Sequence, residues 1–186
     1  YGDTPELPKH EGITPNPLSP YAVSKLAGEK YCSVFARVYG LYTVALRYFN
    51  VFGPRQDPNS QYSAVIPKFI RMIRNDERPI IFGDGTQTRD FTYVENVVNA
   101  NLLAAATECE PGLVMNAACH DQIELNYLVE QINKHTGKAI KPIYSDKRKG
   151  DIKHSFANIE LITKTFGWKP RVSFDQGLAL LITREP

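Results

Sequence analysis

Pro17-Leu18-Ser19-Pro20-Tyr21-Ala22-Val23-Ser24-Lys25-Leu26-Ala27-Gly28-Glu29 is the stretch on which the reading of the chain turns. Before it, Pro5, Pro8, Pro15, Pro17 and Pro20 interrupt residues 3–20 too often for a long regular element, which predicts a loop. After it, no proline occurs through Tyr39, and Leu26, Tyr31, Val34, Phe35 and Val38 recur near helical spacing, so a helix is expected over 21–39 with Gly40 as its stop. Tyr21 and Lys25, four residues apart, then share one face of its first turns and can act on a common object. A phenol is a poor base at neutral pH, and an ammonium alongside favours its phenolate, so the pair has the makings of a general acid/base. The lysine also has hydrogen-bond donors to spare, for example for ribose hydroxyls. Taken alone, a tyrosine and a lysine at helical spacing are more often a solvated pair.

Outward from this helix, the pattern alternates. The β-branched stretch 43–46 reads as a buried strand, and Gly53-Pro54 with the polar run 57–61 reads as a loop. Val65, Ile66, Phe69, Ile70, Met72 and Ile73 then fit an amphipathic helix ending near Asn75. A strand over 79–82 turns at Gly83-Asp84-Gly85, and an alanine-rich helix follows over 94–107. Beyond it come a strand at 113–117, a helix at 124–135 closed by Gly137, a strand at 140–144, and helices at 159–166 and 174–182. Strands alternating with helices imply an α/β fold. No GxGxxG or GxxGxxG turn lies between a strand and a helix, so the pyrophosphate cradle of a dinucleotide site is not in this sequence.

The quoted stretch closely resembles the YxxxK segment of the extended short-chain dehydrogenases, the nucleotide-sugar epimerase/dehydratase family, and further segments continue the likeness in the family's order. Tyr1-Gly2-Asp3 is similar to its VYGD segment, Arg47-Tyr48-Phe49-Asn50-Val51-Phe52-Gly53-Pro54-Arg55 to the strand and loop beyond the nicotinamide, and Tyr62-Ser63-Ala64-Val65-Ile66-Pro67-Lys68-Phe69 to the segment on the nucleotide base. Ile81-Phe82-Gly83-Asp84-Gly85 resembles the strand end beside the base, Thr88-Arg89-Asp90-Phe91-Thr92-Tyr93-Val94 the RDF(T)YV motif, and Arg148-Lys149-Gly150-Asp151-Ile152-Lys153-His154-Ser155 the late RxGDxxxS segment. Singly, each has an ordinary structural explanation: Asn50 as a turn residue, Arg89 and Arg148 as solvated cations, Phe82 as core, Gly83 to Gly85 as a plain turn. Jointly, and in order, they are not accidental.

The resemblance implies the C-terminal part of a Rossmann-type fold, with the last strands and helices of the cofactor-binding sheet and the smaller substrate-binding domain. On it, residues 1–60 are a partial NAD-binding region, and 61–186 mainly a nucleotide-sugar-binding region interleaved with returning Rossmann elements. It implies NAD as cofactor, and epimerisation at C4 of a UDP-hexose or UDP-N-acetylhexosamine through a 4-keto intermediate. Tyr21 and Lys25 would be catalytic and, with Tyr48, Phe49 and Val51, cofactor-binding; Asn50, Tyr62, Ala64, Val65, Phe82, Gly83, Arg89, Arg148, Asp151 and Ser155 would bind substrate. Arg89 and Arg148 would grip the diphosphate, as planar, permanently charged forks do well. Ser155 would sit where a bulky tyrosine excludes an N-acetyl group, which favours UDP-N-acetylglucosamine as substrate. The catalytic Ser or Thr and the glycine-rich loop would lie upstream of Tyr1, leaving this piece inactive alone. A 4,6-dehydratase or UDP-glucuronate decarboxylase of the same superfamily, or a non-catalytic nucleotide-sugar-binding module, remain alternatives.

Bulk composition narrows the partners. Lys and Arg total 22 against 20 Asp and Glu, a net charge of +2 that gives no basic face for nucleic acid. No apolar run is long enough to span a bilayer, and Cys32, Cys109 and Cys119 are odd in number and lack metal-ligand spacing, so neither a disulfide framework nor a metal is expected and a reducing cytoplasm fits. In this family the helix over 21–39 commonly packs in a dimeric four-helix bundle, so a homodimer is expected of the full-length protein, with Cys32, Phe35 and Tyr39 on the second apolar side.

Overall fold

Helix α1 (Pro20–Tyr39) begins on a strong local signal. Extended Ser19 caps it, its hydroxyl accepting the Ala22 amide at 3.1 Å, and Pro20 takes the first helical position, where no amide donor is needed. Gly40 ends it in the left-handed region, φ 67°, and donates to the Ala36 carbonyl. The computed structural model describes residues 1–57, 65–147 and 152–184.

Spacing locates this helix but not its docking face. Tyr31, Val34, Phe35 and Val38 are exposed, and within α1 only Ala36 is buried. Contact runs instead along Glu29, Ser33 and Ala36. The Ser33 hydroxyl donates to the Gly112 carbonyl at 3.2 Å, and a Cβ at Gly112 would stand 3.1 Å from that of Ala36. Small side chains let backbone approach backbone, so the large apolar residues point elsewhere.

Two strands carry the sheet that α1 lies on. β1 (Val44–Tyr48) runs parallel to β6 (Leu113–Ala117), in register from Val44↔Leu113 to Tyr48↔Ala117. Helices α3 (Val94–Ala106) and α5 (Glu160–Phe166) complete a core of Ala100, Met115, Ala117, Ile162, Phe166 and Trp168. In β1, expected to be buried, Val44 to Arg47 are half-buried and Tyr48 is exposed.

Between and beyond these strands the chain builds a second layer from short parallel pairs. β2 (Val51–Phe52) pairs with β5 (Thr92–Tyr93), and β3 (Ile80–Phe82) with β8 (Ile143–Ser145). β4 (Thr88–Arg89) lies between antiparallel β7 (Ile123–Glu124) and parallel β9 (His154–Ser155). Helices α2 (Val65–Arg74), α4 (Leu125–Thr136) and α6 (Phe174–Arg184) pack on them around Phe52, Ile66, Ile73, Ile81, Phe91, Leu128, Ile132 and Leu178. The strand expected over 140–144 begins only at Ile143. Ile140 belongs to the cap of α4, its amide and carbonyl both bound by the Asn133 side chain at 2.9 Å. No helix among the described residues is long and apolar enough to cross a membrane.

The N-terminal loop is stitched to distant parts of the chain. Lys9 bridges to Ala157 through Lys9 N–H to the Phe156 carbonyl at 2.9 Å and Asn158 N–H to the Lys9 carbonyl at 2.8 Å. Close approach also governs the turn after β2, where a Cβ on Gly53 would lie 2.4 Å from Val94 Cγ1 and 2.9 Å from Val94 Cβ, the stiff first residue of α3. Gly53→Ala is therefore expected to cost about 2 kcal/mol, read as a lower urea midpoint; an unchanged midpoint would mean that this turn yields freely.

Candidate active site

Tyr21 and Lys25 occupy the first turns of α1. The Tyr21 side chain is half exposed (50%), and Lys25 Nζ lies 5.3 Å from the centroid of its ring. One turn further along the same face, Glu29 clamps the helix to β1 by accepting Arg47 Nε at 2.7 Å and Nη2 at 2.9 Å. The Arg47 guanidinium also lies over the Tyr1 ring at 4.6 Å, and the Tyr1 hydroxyl donates to Asn116 at 2.5 Å. Burial works against the Arg47 charge, but the bonds to Glu29 and Tyr1 outweigh it and raise its pKa; the bond from Arg47 holds the Glu29 carboxyl below its usual value.

β1 delivers the next segment. The Tyr48 hydroxyl donates to Asn101 on α3 at 2.9 Å, and the Phe49 ring is buried with Ala118 and Ala157, 6.1 Å from the Tyr1 ring. Asn50 has φ 35°, unusual for a residue with a Cβ. Its carbonyl accepts the Thr92 amide at 3.3 Å and its side-chain amide donates to the Asp90 carbonyl at 3.2 Å, so Val51 enters β2 in register with Thr92.

β4 and β9 bring Arg89 and Ser155 together as register partners. The Arg89 guanidinium donates from Nη1 to the carbonyls of Thr88 at 2.8 Å and Lys153 at 3.4 Å, and His154 Nδ1 meets the Thr88 hydroxyl at 3.0 Å. Asn50, Arg89 and Ser155 thus converge through Asp90 and the β4–β9 pair. Asp90 itself, quoted above only as a letter of a motif, is fully buried, and burial pushes its carboxyl up to about 6. A charged letter directly before the aromatic run Phe91-Thr92-Tyr93 was the available signal. Cys119, next to it, has its thiol pushed up to about 11 by burial and then by the Asp90 charge.

A third group forms at the ends of β3 and β8. Phe82 pairs with Ser145, the Gly83 amide donates to the Ser145 carbonyl at 2.8 Å, and a Cβ on Gly83 (φ 93°) would meet Lys147 Cγ at 3.3 Å. Gly83, Asp84, Tyr144, Ser145, Asp146 and Lys147 line an open groove of about 550 Å³. Lys147 was not singled out by motif. Val65 opens α2, packed against its core, whereas Tyr62, Ala64, Arg148 and Asp151 lie outside the described residues.

Residues 1–118 match the model of the NAD dependent epimerase/dehydratase family. The putative UDP-glucose 4-epimerase of Methanocaldococcus jannaschii is 37% identical over 98% of this chain and 58% of its own length. The UDP-N-acetylglucosamine 4-epimerase from Methanobrevibacter ruminantium M1, solved in complex with UDP-N-acetylmuramic acid, is 44% identical and superposes with a TM-score of 0.92 over 98% of this chain and 58% of that one. The UDP-glucose 4-epimerase of Thermotoga maritima, solved with UDP-glucose, is 37% identical with a TM-score of 0.91 over the same shares. The chain therefore spans somewhat more than half the length of these relatives. With parallel β1 and β6 flanked by helices, the YxxxK face open on α1, and the family's segments matched in order, the chain belongs to the NAD dependent epimerase/dehydratase family.

Proposed function

We propose that this chain carries the catalytic helix and the nucleotide-sugar side of an NAD-dependent 4-epimerase acting on a UDP-hexose or UDP-N-acetylhexosamine. The observation that carries the reading is the open Tyr21–Lys25 face of α1, held to β1 by the Glu29–Arg47 clamp, with β1 leading directly into Asn50. A plain surface pair needs no such anchorage. An exposed phenol with an ammonium beside it suits the hydroxyl-rich ribose of a dinucleotide, and the segment 48–51 follows at the end of the adjoining strand. NAD, when bound, supplies the reversible oxidation at the sugar C4.

The chain's own groups do the rest. Tyr21 takes the proton of the 4-hydroxyl as the sugar is oxidised and returns it when the 4-keto sugar is reduced. Lys25 places positive charge beside the ring on which negative charge develops and offers donors to the ribose. Asn50 and Arg89, with Arg148, hold the diphosphate; Phe82 and Gly83, with Tyr62, Ala64 and Val65, flank the base, and Asp151 meets the nucleotide ribose. Holding one end tightly leaves the keto sugar free to present its other face. On this reading residues 1–60 serve the cofactor and 61–186 mainly the nucleotide sugar, with β6, α3 and α5 returning to the first region. The exposed face of α1 would then meet the same helix of a second copy.

The full-length protein, given UDP-N-acetylglucosamine and NAD, should invert C4, which proton NMR of the sugar detects; binding without inversion would refute the catalytic reading. Ser155 serves specificity. Ser155→Tyr is expected to cut activity on N-acetylated UDP-hexoses about 10- to 100-fold more than on UDP-glucose or UDP-galactose. Equal losses on the two substrate groups would remove the reason for an N-acetyl preference.

A further inference from the structure

We propose that Asp90 is a positioning residue for the nucleotide-sugar grip, locking Asn50, Arg89 and Ser155 into one frame from beneath without touching the ligand. The inference rests on the reading that those three residues hold the nucleotide sugar. Asp90 is 0% exposed, and its carboxylate accepts backbone amides: Oδ1 that of Cys119 at 2.9 Å and Oδ2 that of Ala157 at 3.1 Å, with the Asp121 amide also favouring its charged form. Its own carbonyl accepts the Asn50 side-chain amide at 3.2 Å. What it secures is chain geometry.

The connections are short. Arg89 is its peptide neighbour, Ser155 is the register partner of Arg89 and lies two residues before Ala157, and Cys119 follows the end of β6. Asp90 therefore ties strand β4 to the exit of β9 and the loop after β6 through its carboxylate, and to the entry of β2 through its main-chain carbonyl. Asn50 most needs the support, since its positive φ of 35° persists only where surroundings hold it. A buried carboxylate is costly to keep, and burial pushes this one up to about 6, so space-filling alone is a poor account of it. If the frame were loose, Asn50 and Ser155 would shift relative to Arg89, and a diphosphate clamp tolerates little misplacement.

The test uses the full-length enzyme and UDP itself as probe. Asp90→Asn keeps the side-chain shape but turns an N–H toward the backbone donors on one side of the carboxylate. It is expected to weaken the UDP Kd by calorimetry about tenfold, with the KM for the UDP-sugar rising in step. A wild type that does not bind UDP would sink the functional reading on which this rests. A wild type that binds, beside an Asp90→Asn variant of equal affinity, overturns the Asp90 assignment alone. So does a variant whose kcat falls with its folded fraction while KM stays fixed, the behaviour of a merely structural residue. If Asp90→Asn does not fold, amide hydrogen exchange in the wild type decides: saturating UDP should slow exchange at Cys119 and Ala157, and unchanged rates overturn the proposal.

Discussion

In the full-length enzyme, Tyr21→Phe is expected to lose about a thousandfold in kcat while its Kd for the UDP-sugar stays near that of the wild type. The substitution removes one oxygen from a half-exposed ring and leaves the Lys25 ammonium, 5.3 Å from the ring centroid, over an aromatic face of the same shape. It touches neither the Glu29–Arg47 clamp nor the bonds of Asn50 and Arg89. A loss confined to kcat is what removal of a proton-transfer group produces, whereas a rise in KM alone would mark Tyr21 as a binding residue. Turnover at the wild-type rate would take it out of the chemistry altogether.

The second large effect concerns the clamp. The Glu29 side chain is only 9% exposed and that of Arg47 18%, and the two are joined by a bidentate pair at 2.7 and 2.9 Å. Arg47→Met should destabilise the protein by about 3–5 kcal/mol, because it strands a buried carboxylate as well as removing two charge-assisted bonds. Adding Glu29→Leu should recover most of that loss, since two packed apolar side chains have no charge to desolvate. Acid gives an independent check. Glu29 is held below its ordinary value of 4.5 by Arg47, so its contribution is present above pH 4.5 and is lost as pH falls through the lower folded value. The double variant should therefore lose less stability between pH 5 and pH 3 than the wild type does, as urea midpoints would show. Identical acid limbs in the two proteins would mean that the pair is not coupled to folding.

How much of this could be read in advance depended on length and pattern. The strand at 113–117 and the helices at 65–74 and 94–106 carry enough residues for apolar spacing or composition to register, and they lie where expected. Five two-residue strands do not. β2, β4, β5, β7 and β9 are too short to show alternation, yet β4 and β9 are what set Arg89 beside Ser155. Motif order named Asn50, Arg89 and Ser155 without saying how they are joined, because the links run through the Asp90 main chain, the β4–β9 register and amides from residues 119 and 157 that meet the Asp90 carboxylate. On α1, Tyr31, Val34, Phe35 and Val38 mark the helix correctly, but a contact made through Ser33, Ala36 and Gly112 leaves no trace in an apolar periodicity. Likewise, Asn133 reaching back to Ile140 shortened the strand that the apolar residues suggested.

The stitching of the first ten residues has a consequence for synthesis. The Tyr1 hydroxyl waits for Asn116, 115 positions away, and the strand-like pairing of Lys9 waits for residues 156–158. During translation, residues 1–10 emerge well before the segments at 116 and 156–158 that fasten them. Contacts of such sequence separation slow folding, because loop entropy is lost before they form. A nascent chain halted before Phe156 would hold α1 with its leading loop still unmoored at Lys9, so the emergence of residues 156–158 is the event that fastens it.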